Sequence, residues 1–203
     1  MHLVFVLGPT NVGKTKLLEA AGRVSSVGLV EVGKLMRAKY LEPSSPHYQP
    51  DYFKGQAAPT HTATEAWQMM VDGIEHANAA KKTTIFVDGQ PRDIQQCDDI
   101  QKLYGGSPNE IQVTYLNLYA SVEARRERAA KRDADPAKLA LSMQRMEGDL
   151  LKIYEVITRI QSRGGDIVTV DTSSWPIESY GLIVGYLLTH GEIKRGVQWD
   201  AKK

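Results

Sequence analysis

The chain has 203 residues, 42% of them hydrophobic, with 25 basic against 24 acidic side chains and a formal net charge of +1. That length suits one domain with a substantial core, and the near-neutral balance gives no broad electrostatic case for nucleic-acid or membrane binding. A single cysteine, Cys97, excludes an internal disulfide and a zinc site built from several thiolates. No apolar stretch approaches the ~20 residues of a membrane span. The first apolar run opens directly after Met1-His2, leaving no room for a cleavable signal, so a reducing, cytoplasmic setting is the expectation.

Taken in order, short apolar runs alternate with helical patterns, as in a parallel sheet covered on both faces. Leu3-Val4-Phe5-Val6-Leu7 predicts a strand over 2–8, and Leu17-Leu18-Glu19-Ala20-Ala21 a helix near 13–23. Between them, Gly8-Pro9-Thr10-Asn11-Val12-Gly13-Lys14-Thr15 matches GxxxxGK[ST] in the strand, loop, helix context that this phosphate-binding motif requires. The expected ATP site comprises Pro9, Thr10, Asn11, Val12, Gly13, Lys14, Thr15 and Lys16. Backbone amides there wrap a polyphosphate, Lys14 reaches the β- and γ-phosphates, and the Thr15 hydroxyl ligates Mg²⁺. The helix N-terminus behind the loop adds partial positive charge.

A strand over 27–32 and a helix over 33–41 follow, then an irregular stretch at 42–61 carrying Pro43, Pro46, Pro50 and Pro59. A loop this long in a compact domain is usually functional. Trp67, Met70, Val71, Ile74 and Ala77 mark a helix over 62–80 with one buried face. The next strand, 83–88, ends Ile85-Phe86-Val87-Asp88 and runs into Gly89-Gln90-Pro91-Arg92. Asp88 is the candidate for holding Mg²⁺ through water; as half of an Asp-Gly pair it also reads as a turn residue. Pro91 stiffens the segment presenting Arg92, whose guanidinium suits a bidentate phosphate contact.

A helix at 94–104 and a strand at 111–119 lead to a helix at 121–132, where Arg125, Arg128 and Arg132 share one face. Clustered cations repel by a few tenths of a kcal/mol per pair, a cost relieved by an anion in front of them; a solvated surface helix is the alternative. Leu139, Met143, Met146, Leu150, Ile153, Ile157 and Ile160 predict a buried stripe on a helix over 136–163. A strand at 167–171 and a helix near 177–189 complete the series, joined by Thr172-Ser173-Ser174-Trp175-Pro176.

With these motifs in place, the chain resembles the adenylate kinases and, more broadly, the nucleoside monophosphate kinases over nearly its whole length. The residues carrying the likeness are the early phosphate loop, Gly33-Lys34-Leu35-Met36-Arg37, and Asp88-Gly89-Gln90-Pro91-Arg92 with Gln96 four residues on. The resemblance implies a three-layer α/β fold with a five-stranded parallel sheet, an acceptor-binding insertion at 33–80 and a short lid region at 121–145. It implies that Arg37 and Arg92 clamp the acceptor α-phosphate and that Gln96 bonds its base, although both Arg37 and Gln96 also read as ordinary surface residues. Val32, Gly33, Ala57, Ala58, Gly89 and Gln90 would complete the acceptor site. Arg125, Arg128, Arg132 and Arg145 would neutralise the transferring group, Arg145 reading alternatively as a surface partner of Asp149. Trp175 would stack on the donor adenine or anchor the final helix.

The family pattern departs at Gln90, where the family has a base-side Phe, at Lys34, where an acid is usual, and in the phosphate loop's Gly13-Lys14-Thr15. An amide at 90 offers a hydrogen bond to a different base edge. The expected activity is ATP- and Mg²⁺-dependent phosphorylation of a nucleoside or deoxynucleoside monophosphate by a monomer. The rivals are a kinase of an uncharged nucleoside or small metabolite, and a nucleotide-dependent switch without an acceptor. The chain has no Asn-Lys-x-Asp guanine signature.

Overall fold

The computed structural model describes residues 1–51, 60–105, 111–133, 135–174 and 179–190, apart from the side chains of residues 60–62, 137, 138, 141, 145, 147 and 190. The strands are β1 (His2–Leu7), β2 (Val27–Glu31), β3 (Thr84–Asp88), β4 (Gln112–Tyr119) and β5 (Ile167–Asp171). The helices are α1 (Lys14–Ala21), α2 (Val32–Leu41), α3 (Thr60–Ala79), α4 (Ile94–Tyr104), α5 (Val122–Arg132), α6 (Pro136–Ser162) and α7 (Ser179–His190). All strand pairs are parallel, in the order β2-β3-β1-β4-β5.

β1 is apolar without alternation because it lies in the middle of the sheet and both its faces are covered. Leu3, Phe5 and Leu7 enter one core with Met36, Met70, Ile74, Ile100, Val156 and Ile160, from α2, α3, α4 and α6. Val4 and Val6 enter the other with Leu17, Leu18, Ile183, Val184 and Leu187, from α1 and α7. Full burial of each such side chain contributes about 1.5–3 kcal/mol, so the two layers fix the plane and register of the sheet. This is a three-layer α/β fold with a five-stranded parallel sheet.

The strand order marks one edge of the sheet as the candidate site. The chain leaves β1 for α1 on one face of the sheet and leaves the adjacent β3 for α4 on the other. A crevice opens at the carboxyl ends of neighbouring strands whose connections diverge in this way. The phosphate loop and the Gly89–Arg92 segment flank that crevice. Only residues 133–135 separate α5 from α6, so the connection at the expected lid is short.

The helix patterns hold with one correction. On α3, Met70, Ile74 and Ala77 are buried as expected. On α6, Met146 and Ile160 are buried, but Leu150 is 39% exposed, whereas Val156, outside the expected stripe, is fully buried. The preceding turns of α6 pack on the phosphate loop and the later ones on α4, so the buried face is not one continuous stripe. Ala57 and Ala58 lie outside the described residues, as does Trp175; the side chain of Arg145 does too.

Candidate active site

The phosphate loop is held by its glycines. Gly8 has φ +129° and Gly13 φ +102°, a region that suits glycine. A Cβ on Gly8 would strike the Leu118 carbonyl oxygen, and one on Gly13 the Tyr180 hydroxyl of α7. Lys14 folds back over the loop, its Nζ donating to Gly8 O at 2.6 Å and Pro9 O at 3.1 Å. Burial pulls the Lys14 ammonium below the ordinary lysine value; Asp88 and Asp149 oppose that shift and Arg92 adds to it. Thr15 and Lys16 are exposed at the start of α1.

Asp88 pairs in register with Val6 of β1 and Glu31 of β2. Burial pushes its carboxyl up from the ordinary value; Lys14 and Arg92 pull it down, Glu31 pushes it up, and the hydrogen bond from Gly89 pulls it down. Its Oδ1 is buried with no hydrogen-bond partner. Lys14, Asp88 and Arg92 thus share one electrostatic neighbourhood, which joins the phosphate loop to the segment after β3.

The two expected acceptor arginines each lie beside a glycine of one close backbone approach. A Cβ on Gly33 would lie 3.4 Å from Arg37 Nη1, and one on Gly89 would lie 3.5 Å from Gly33 N and 3.7 Å from Arg92 Nη2. Both guanidinium groups therefore border one contact between the start of α2 and the turn after β3. Neither has a carboxylate partner among the described residues, and both are exposed. Arg92 is braced from behind: its Nε donates to Gly89 O at 2.9 Å and its backbone N–H donates to Gln96 Oε1 at 2.6 Å. Asp93 caps α4 by accepting from Gln96 N at 2.8 Å. Gln96, expected to touch a base, spends its carbonyl oxygen on this turn. Gln90 is buried, 2% exposed, and its Oε1 has no partner.

The arginine face of α5 turns toward the phosphate loop. Arg128 donates to Asn11 O at 3.2 Å and to both the carbonyl and the hydroxyl of Thr172. Arg132 donates to Asn11 Oδ1 at 2.8 Å, to Ser142 Oγ at 2.9 Å and to both oxygens of Asp133. Arg125 is 2% exposed, with Nε and Nη1 unpartnered. Arg128 and Arg132 thus reach the loop's rim, where protein oxygens now take their donors.

Sequence reasoning missed two carboxylates. Asp149 of α6 bonds the phosphate loop, its Oδ2 accepting from Thr10 N at 3.0 Å and Thr10 Oγ1 at 2.5 Å. Its spacing from Arg145 suggested a surface pair; a contact across 139 positions leaves no local signature. Glu31 was legible in principle, as an acid ending the strand beside Asp88. Thr172 is also structural here: fully buried, its Oγ1 lies 2.7 Å from Val12 O and 2.9 Å from Tyr119 O, tying the loop after β5 to the phosphate loop.

An open groove of about 580 Å³ runs elsewhere, between β2 and α3, lined by Val27, Leu35, Met69, Gly73 and Ala77 among others. It is mostly apolar and includes none of Lys14, Asp88, Arg37 or Arg92, so it is separate from the polar groups at the strand ends. Among the described residues no helix is long and apolar enough to cross a membrane.

No protein-family model matches the chain, and no curated protein matches it. Among solved structures it is similar to an unliganded sugar kinase from Janibacter sp. HTCC2649, with a TM-score of 0.60 and 16% identity over 93% of this chain and 94% of that one. At that identity the likeness shows a shared fold.

Proposed function

We propose that this chain is a phosphotransferase that moves the γ-phosphoryl group of Mg·ATP to a nucleoside or deoxynucleoside monophosphate. The observation that supports the reading is that Arg37 and Arg92, neither with a carboxylate partner among the described residues, both border the contact of Gly33 with Gly89, on the segment that follows Asp88. In this reading one anion pocket is built from amides and an ammonium and the other from two arginines, with the Asp88 carboxyl influenced by both Lys14 and Arg92. Two such pockets suit a reaction joining two phosphorylated molecules. The likeness to a kinase supports the reaction class at the level of fold.

In this reading the acceptor's phosphate oxygen is already anionic near neutral pH and needs no general base. Catalysis is positioning and charge neutralisation in a closed site. Lys14 leaves the Gly8 and Pro9 carbonyls to meet the donor phosphates, while Arg37 and Arg92 hold the nucleophile in line. Arg125, Arg128, Arg132 and Arg145 are the reserve of positive charge for the transferring group. Mg²⁺, when bound with the nucleotide, supplies further neutralisation. Thr15 and the unpartnered oxygen of Asp88 are the residues that would hold it, Asp88 through water.

The test is a coupled assay of ADP formation over a panel of ribo- and deoxynucleoside monophosphates with ATP and Mg²⁺. The same panel should include neutral sugars and nucleosides, because the structural neighbour is a sugar kinase. Turnover with hydroxyl acceptors alone would replace the monophosphate reading. Slow, acceptor-independent hydrolysis would mark a nucleotide switch instead.

A further inference from the structure

Helix α6 holds the phosphate loop at three of its residues, and the third differs in kind from the other two. Asn11 Nδ2 donates to Ser142 Oγ at 3.3 Å and to Met146 Sδ at 3.4 Å, so neutral atoms steady the tip of the loop. About one turn further along, the acceptor is a carboxylate. Asp149 Oδ2 takes both the backbone N–H of Thr10, at 3.0 Å, and the Thr10 hydroxyl, at 2.5 Å. Hydrogen bonds to a charged acceptor are roughly twice as strong as those between neutral groups. For support alone, an amide at 149 would serve, since its carbonyl oxygen accepts from the same donors and brings no charge. The negative charge is what needs an account.

The chemistry of the loop supplies one. The backbone N–H groups and the lysine of GxxxxGK[ST] are donors shaped for phosphate oxygens. Asp149 sets an anionic oxygen in front of one of those N–H groups, and its charge also acts on the Lys14 ammonium. At Thr10 the carboxylate therefore has the two properties by which the loop recognises a phosphate oxygen, negative charge and acceptance from a loop amide. A nucleotide phosphate entering here meets a competitor for Thr10, and like charges brought close together repel.

We propose that Asp149 is an internal anion that takes the place of a donor phosphate oxygen at Thr10 and holds nucleotide affinity down until α6 releases the loop. This rests on the reading of the loop as the donor site and adds an autoinhibitory contact to it. The size of the effect follows from how often the contact opens. A loop that is free one-tenth of the time binds its ligand about 10-fold more weakly than one that is always free.

The experiment measures Kd by isothermal titration for Mg·ATP and for inorganic tripolyphosphate, with the unmodified protein, Asp149→Asn and Asp149→Ala. Asp149→Asn keeps an acceptor for Thr10 but removes the charge; Asp149→Ala removes both. Each variant should bind both probes about 10-fold more tightly than the unmodified protein. A support role predicts the opposite order, with affinity kept in Asp149→Asn and lowered in Asp149→Ala. Either of those results overturns the proposal. A second measurement needs no variant, so a misfolded mutant cannot shield the idea. In the isotopically labelled unmodified protein, the coupling across the hydrogen bond between the Thr10 amide nitrogen and the Asp149 carboxyl carbon should be present without nucleotide and vanish at saturating Mg·ATP. A coupling that persists at saturation overturns the proposal. If neither the unmodified protein nor Asp149→Asn binds ATP or tripolyphosphate, the donor reading itself fails and takes the proposal with it, an outcome distinct from binding that the variants leave unchanged.

Discussion

The two edges of the sheet bury polar groups in opposite ways. At the amino-terminal edge, His2 Nε2 and Thr114 Oγ1 lie 2.9 Å apart across adjacent strands, and backbone bonds from His2 N to Thr83 O and from Gln112 N to Met1 O close the margin, each at 2.9 Å. At the carboxyl-terminal edge, and on α5 just past it, lie the buried side-chain atoms that lack a partner among the described residues: Asp88 Oδ1, Gln90 Oε1, Asn117 Oδ1, and Arg125 Nε and Nη1. Both edges belong to the same well-packed sheet, so poor packing does not explain the difference. Among the described residues, one edge pairs its buried polar groups within the chain, while the other leaves buried donors and acceptors without a partner.

The sharpest way to break this contrast is at Lys14. Lys14→Ala should cut kcat by about 10²–10³-fold, the usual cost of removing one preorganised group that stabilises developing charge, while the fold survives by circular dichroism. Retention of full turnover would remove the phosphate loop from the chemistry. Next in size, Arg92→Ala should lower kcat/KM for the acceptor by about 10²-fold with ATP affinity nearly kept, because a charge-assisted contact to one substrate alone is lost. Isothermal titration with ATP beside steady-state kinetics with the acceptor separates the two effects; equal losses on both would merge the two pockets into one.

The amino-terminal edge gives a pH signature. Burial, with a smaller effect from the terminal ammonium, lowers the His2 pKa from 6.5 to about 4. Between those values the unfolded chain binds a proton that the folded chain does not, so stability falls as pH drops from 6.5 toward 4. The loss attributable to His2 is at most about 3 kcal/mol. Denaturant titrations across that range should show the decline, and His2→Gln should flatten it; an unchanged slope would mean that His2 protonates without cost. The smallest effect tests the other edge. Asn117 makes one long bond, from Nδ2 to Thr169 Oγ1 at 3.4 Å, and leaves Oδ1 unpaired. Asn117→Leu should therefore stabilise the fold by about 1 kcal/mol, and a lower Tm in that variant would show that the oxygen is not orphaned in solution.

What was legible in the sequence divides along the same line. The strands came within a residue or two because each is a short apolar run between turn residues, and that signal is local. The phosphate loop was legible for the same reason, since its glycines answer to backbone geometry within eight positions. Arg37 and Arg92 were singled out by resemblance as a clamp for the acceptor phosphate, and both border the contact of Gly33 with Gly89. The role of Asp149 was hidden because its partner, Thr10, lies at the other end of the chain. The exposure of Leu150 was hidden because α6 changes neighbours along its length, and a helical period records only one face. The engagement of Gln96 with Arg92 N–H is a detail of one tight turn that residue types do not announce.

Helix α6 also has a mechanical consequence. Near its middle, Asp149 grips Thr10 of the donor loop; ten residues on, Arg159 locks onto Asp98 of α4 through two bonds of 2.9 and 2.6 Å. Those grips are about 15 Å apart on one rod, and α4 begins two residues after Arg92. If the proposed donor and acceptor sites hold, this one helix ties the loop at Thr10 to the helix behind Arg92, a route by which binding at one site would be felt at the other. Cutting the far grip with Asp98→Asn should weaken that cross-talk, measured as the change in ATP affinity on adding acceptor, while leaving each substrate's separate binding nearly intact.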